Sequence, residues 1–138
     1  EKSRGKNFIG NIGRLTKQKG IDVFINAIAD IVREFPNVVG VILGGEEHIY
    51  LETLVEKLEI SNNIIFLGYQ KNILEIISQL DFVVHSSRHE GLPLIPIETF
   101  SQGKTIIASD ISGNNEIVKD GVNGFLFEKD NVKELLSE

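Results

Sequence analysis

Residues 7–45, NFIGNIGRLTKQKGIDVFINAIADIVREFPNVVGVILGG, hold one complete structural unit. Asn7–Ile12 reads as a short strand that ends in Gly13. From Ile21 to Phe35 the apolar residues Val23, Phe24, Ala27, Ile28, Ile31, Val32 and Phe35 recur at helical spacing, which predicts an amphipathic helix. Pro36-Asn37 ends it, and Val38–Leu43 is an apolar, largely β-branched run that stops at Gly44-Gly45. Strands that are apolar on both faces belong inside a sheet covered on each side. A strand–helix–strand order makes such a sheet parallel and its crossover right-handed.

The same alternation continues along the chain. Leu51, Leu54, Val55 and Leu58 mark a second helix, and Asn63–Leu67 a third strand closed by Gly68. A helix at Ile73–Gln79 leads to a strand at Asp81–His85, then a helix at Pro93–Gln102 and a strand at Thr105–Ala108. A turn of helix near Glu116–Val118, a strand at Gly124–Phe127 and a helix opening at Asn131 complete the pattern. The expected fold is α/β, a Rossmann-like parallel sheet with helices on both faces, spanning 1–138 as one domain without linker or repeat. Ligands of such sheets sit at the C-terminal strand ends. The loops of interest are therefore Gly13–Gly20, Gly44–Ile49, Gly68–Asn72 and Ser86–Pro93.

Composition narrows the chemistry. The chain of 138 residues has no cysteine, which excludes disulfides and thiolate chemistry and fits a cytoplasmic setting. No apolar run has the roughly 18–20 residues needed to span a bilayer, and no signal-peptide pattern opens the sequence. The formal charge of −6 argues against a nucleic-acid partner, while Arg14, Lys17 and Lys19 form a local basic cluster suited to a small anion.

Two segments carry the chemistry. In Gly13-Arg14-Leu15-Thr16-Lys17-Gln18-Lys19-Gly20, glycines allow a close turn. Arg14 and Lys19 offer a guanidinium fork and an ammonium to a pyrophosphate, unless the loop is merely basic and solvated. In Glu90-Gly91-Leu92-Pro93-Leu94-Ile95-Pro96-Ile97-Glu98, seven residues separate two glutamates. A wholly helical segment would set them roughly 12 Å apart, too far to share a proton but suited to two hydroxylated sugars of one ligand. The plainer alternative is that Glu90 caps the helix electrostatically and Glu98 lies on its solvated face. A third stretch, Ser109-Asp110-Ile111-Ser112-Gly113-Asn114-Asn115-Glu116, reads by itself as a scaffold loop.

Together, Gly-Arg-Leu then Lys-Gly before the first helix, "SSRHEGLPLIPIE", and "GKTIIASDISGNNEIVKDGVNGFL" resemble the C-terminal donor-binding domain of group 1 retaining GT-B glycosyltransferases. The resemblance runs from Phe8 onward. It implies transfer of a sugar from a nucleoside diphosphate with retained anomeric configuration, without metal or other cofactor, in polysaccharide or glycolipid biosynthesis. By the same resemblance Arg14 and Lys19, with Gly13, would hold the diphosphate. Glu90 would bind the donor sugar, with the Gly91 and Leu92 amides close by. Glu98 would hold the ribose, and the base would rest on the Gly68–Lys71 loop near Tyr69. Pro93 departs from many members, which carry a small residue there, and has no N–H to give a phosphate. The saccharide or lipid-linked acceptor would bind mainly to an N-terminal domain outside this chain, so the fragment alone would turn over little. Peripheral association of the full protein with the inner membrane face also follows from the resemblance. Two rivals stand beside it: a metal-dependent hydrolase using His85, His89 and Glu90, and a non-catalytic nucleotide-binding module of the same fold.

Overall fold

The computed structural model describes residues 5–45, 49–91 and 93–133. Among the described residues six strands form one sheet: β1 Asn7–Ile12, β2 Val38–Leu43, β3 Ile64–Gly68, β4 Phe82–His85, β5 Thr105–Ser109 and β6 Phe125–Phe127. Their spatial order is β3-β2-β1-β4-β5-β6, and every neighbouring pair is parallel. The connecting helices are α1 Ile21–Glu34, α2 Ile49–Lys57, α3 Ile73–Gln79, α4 Ile95–Ser101 and α5 Asn114–Ile117. This is the expected Rossmann-like α/β architecture.

The apolar pattern explains the layers. All six residues of β2 are buried. Side chains alternate across a strand, so Val38 and Ile42 join Phe24, Ile25 and Ile28 of α1 and Leu51 and Val55 of α2 on one face. Val39, Val41 and Leu43 join Ile77 of α3, with Ile95 and Phe100 of α4, on the other. The edge strand departs from the expectation that both faces are covered. Ile65 and Leu67 of β3 remain 41% and 38% exposed.

Several boundaries differ from the sequence reading for identifiable reasons. Asn63 is not in a strand but ends a short 3₁₀ turn, Ser61–Asn63, where its amide donates to the carbonyls of Pro36 and Val38. Asp81 precedes β4 and its carboxylate accepts the Phe8 N–H at 2.7 Å. α5 starts at Asn114, two residues earlier than expected, and Val118 is already extended.

The largest difference concerns α4, which begins at Ile95 rather than Pro93, with Leu94 as its N-cap. A helix started at Pro93 would put Pro96 where its missing N–H costs a hydrogen bond and its ring meets the preceding turn. Starting at Ile95 puts Pro96 in the first turn, where backbone N–H groups have no intrahelical partner in any case. The span from Glu90 to Glu98 is therefore part loop and part helix, and Glu90 lies too far upstream to cap α4. Leu92 and most of the expected C-terminal helix fall outside the described residues. Among the described residues no helix is long and apolar enough to cross a membrane.

Candidate functional site

β1 and β4 are adjacent in the sheet, although the chain between them runs out through β2 and β3 and then returns. Their C-terminal ends flank the point where the strand order reverses, the position at which open parallel sheets hold ligands. The two loops leaving these ends are held together by polar contacts. Ser86 Oγ donates to the Gly20 carbonyl at 2.8 Å and receives the Asn11 amide at 2.9 Å. Gly20 is left-handed at φ 59°, and a Cβ there would lie 1.9 Å from the Ser86 carbonyl oxygen. Only glycine permits both the turn and the approach. Arg88 completes the join by donating to the Lys17 carbonyl at 2.6 Å and to Asp22 at 2.8 Å, with a further bond to Asp130.

This joining brings Lys19 and Glu90 into contact. A 3₁₀ turn at Lys17–Lys19, which hydrophobic periodicity does not reveal, lies just ahead of α1. From its end, the Lys19 ammonium meets Glu90 Oε2 at 2.6 Å. The Ser87 hydroxyl donates to the same oxygen at 2.6 Å, and His85 Nε2 lies 3.3 Å from it. No described residue bonds Glu90 Oε1. The carboxylate is only 8% exposed. Burial by itself would raise its pKa, but the hydrogen bonds from His85, Lys19 and Ser87, with the electrostatic pull of His85, outweigh that and lower it from 4.5 to about 2.

The supporting residues come from the stretch that reads as scaffold in the sequence. Ser109 Oγ donates to the Ser87 carbonyl, and the buried Asn114 amide donates to the Ser109 carbonyl at 3.1 Å. Gly113, at φ 95°, lies against the backbone of Glu90 and Gly91, where a Cβ would come within 2.7 Å of the Gly91 carbonyl oxygen. The third motif therefore supports the Glu90 loop from beneath. Ser87, Arg88, Ser109 and Asn114 carry no site role in the sequence reading, and His85 enters it only as a metal ligand of the rival hydrolase. Their only signal is a polar run directly after an apolar strand.

The other expected residues are placed as follows. Arg14 is exposed in the loop after β1, next to Gly13, whose N–H is bonded to the Leu43 carbonyl at 2.9 Å. Gly91 is exposed beside Glu90. Tyr69 is 74% exposed just beyond the end of β3. Glu98 is half-buried in the first turn of α4, and among the described residues its carboxylate makes no hydrogen bond or ion pair. His85 is buried and His89 is exposed, and no described group of three or more His, Cys, Asp or Glu could hold a metal ion.

The low pKa of Glu90 has a consequence for stability. An ionised carboxylate favoured by the fold contributes fully above its unfolded value, near 4.5, and that contribution is lost as pH falls toward about 2. The shift corresponds to a contribution on the order of 3 kcal/mol. The gap in unfolding free energy between wild type and Glu90→Gln is therefore expected to narrow as pH falls below about 4.5. Denaturation curves of both proteins across that range measure it, and a gap independent of pH would contradict it.

Fold and site together define a parallel α/β domain with a polar cleft at its strand-order switch point. The chain belongs to the family of group 1 glycosyl transferases, whose model matches residues 1–138. It is 36% identical over 134 residues to an uncharacterized glycosyltransferase of Methanocaldococcus jannaschii, covering 94% of this chain and 36% of that protein. It is 28% identical to the lipopolysaccharide core biosynthesis mannosyltransferase LpsB of Rhizobium meliloti, covering 95% of this chain and 40% of that one. Among solved structures, HepE of Anabaena in complex with UDP and glucose superposes with a TM-score of 0.89 at 27% identity, over 96% of this chain and 37% of that one. The C-terminal domain of the group 1 protein LpcC of Francisella tularensis superposes at 0.86 with 28% identity, over 96% of this chain and 73% of that one. The chain thus spans only about a quarter to two-fifths of its first curated relatives, whereas it covers most of an isolated C-terminal domain. The fold is that of GT-B glycosyltransferases.

Proposed function

We propose that this chain is the donor-binding half of a two-domain enzyme that moves a sugar from a nucleoside diphosphate to an acceptor with retention of configuration. The observation that carries the reading is the meeting of Lys19 and Glu90 at the β1/β4 switch point, with Glu98 unengaged by described residues on the following helix. A nucleotide-sugar across this cleft places its diphosphate at Lys19 and Arg14, its sugar at Glu90 and Gly91, its ribose at Glu98 and its base near Tyr69. The complex of HepE with UDP and glucose supports a uridine diphosphate sugar as the first donor to test.

The cations contribute where charge develops. As the bond from the anomeric carbon to the phosphate oxygen breaks, negative charge grows on the diphosphate, and Lys19 and Arg14 stabilise it without a metal ion. The acceptor oxygen bonds to the anomeric carbon on the face the diphosphate leaves, and the acceptor's proton passes to a phosphate oxygen. The acceptor, saccharide or lipid-linked, sits mainly on the partner domain, so this half binds donor but turns over little by itself. The complete enzyme works in the cytoplasm, in contact with the inner membrane face where its acceptor is lipid-linked.

Calorimetric titration with uridine, guanosine and adenosine diphosphates, with and without a chelator, tests this reading. At least one is expected to bind, with affinity unchanged by the chelator. Failure of all three at millimolar concentration, or a requirement for a divalent cation, would overturn it.

A further inference from the structure

Glu90 stands in an arrangement that the binding of a diphosphate must change. Three groups address its Oε2: Lys19 and Ser87 at 2.6 Å and His85 at 3.3 Å. On the functional reading above, Lys19 leaves for the diphosphate. Losing one partner would normally release a carboxylate to rotate or to repel the incoming phosphates. Two of the three groups, however, cannot follow Lys19. His85 is 2% exposed at the end of β4, and Ser87 is fully buried, with its carbonyl bonded by Ser109.

The hydrogen bonding also assigns the proton. Ser87 has one hydroxyl proton, and it is directed to Glu90 Oε2. A carboxylate only accepts. His85 Nε2, 3.3 Å from both Ser87 Oγ and Glu90 Oε2, is therefore the donor, so Nε2 carries the hydrogen. His85 and Ser87 thus hold one carboxylate oxygen from the protein side, and Oε1 is the oxygen no described residue holds.

We infer that His85 is a positioning residue for sugar transfer: with Ser87 it holds Oε2 of Glu90 while Lys19 moves to the diphosphate, so that Oε1 keeps its aim at the sugar hydroxyls. The inference rests on the functional reading above and adds to it a residue that never touches the ligand. Its requirement is specific. The group at position 85 must present an N–H at the place of Nε2, and filling the space is not enough. The amide nitrogen of glutamine reaches the Nε2 position, whereas asparagine stops near Nδ1.

The experiment compares wild type, His85→Gln, His85→Asn and His85→Leu in the complete two-domain protein. It measures the affinity for bare nucleoside diphosphate and the steady-state rate with the matching nucleotide-sugar. Bare diphosphate affinity is expected to stay within about twofold in every folded variant, since what His85 sets is the aim of Oε1 at the sugar. Turnover is expected to fall about tenfold or more in His85→Asn and His85→Leu, the effect of losing a hydrogen bond to a charged group. In His85→Gln it should recover to within about threefold of wild type. Should His85→Leu fail to fold, the asparagine and glutamine variants decide, because both keep a polar group there. Equal rates for those two, or a matching loss of bare diphosphate affinity, would overturn the positioning role. A wild-type protein with no nucleotide-sugar turnover would instead overturn the functional reading.

Discussion

Replacing Lys19 by alanine in the complete protein is expected to lower turnover by about 10²–10³ while the domain stays folded. The magnitude is that of removing one preorganised group from the site where negative charge develops in a transition state. Lys19 is well placed for this role. Its side chain is only 21% exposed, and the turn that carries it is fixed by Arg88 and Gln18, whose contacts reach the β4–α4 loop. Folding should survive because Ser87 and His85 still satisfy Glu90 Oε2 after the ammonium is gone. The stability loss should stay near 1 kcal/mol, the common size for a single substitution. Steady-state rates with a saturating nucleotide-sugar, read beside thermal unfolding, check both parts. Turnover within about threefold of wild type would show that Lys19 only neutralises Glu90.

Much of this site was legible in the sequence, and the remainder was hidden for a common physical reason. The alternation of apolar strands and amphipathic helices is local, so Asn7–Ile12, Val38–Leu43 and Ile73–Gln79 emerged with their observed bounds. The glycines of the first loop and the two glutamates also announced themselves by spacing. Contacts between loops left no such trace. Lys19 and Glu90 meet across 71 positions, and Ser109 reaches Ser87 across 22. Single-sequence periodicity carries no information about pairs so far apart. Hence the basic loop and the first glutamate read as separate motifs, although the structure joins them. The same limit conceals Arg88, whose partners Asp130, Lys17 and Asp22 lie 42, 71 and 66 positions away. The misplaced start of α4 had a local cause, since two prolines three positions apart compete for the first turn and the second of them takes it.

The central claim is that one donor molecule spans this cleft, with its ribose at Glu98 and its sugar at Glu90. It is tested most directly by titrating wild type, Glu98→Gln and Glu90→Gln with bare nucleoside diphosphate and with the intact nucleotide-sugar. An ionised carboxylate bonds hydroxyls more strongly than an amide does in a shielded site, by roughly 1–2 kcal/mol, or about tenfold in affinity. Glu98→Gln is expected to weaken both ligands by that factor, because both carry the ribose. Glu90→Gln is expected to weaken only the intact nucleotide-sugar. It should leave the bare diphosphate unweakened, since Lys19 then has no carboxylate at 2.6 Å to leave. Equal losses for both ligands in both variants would contradict the claim and would reduce the two glutamates to residues that shape the loop and the helix.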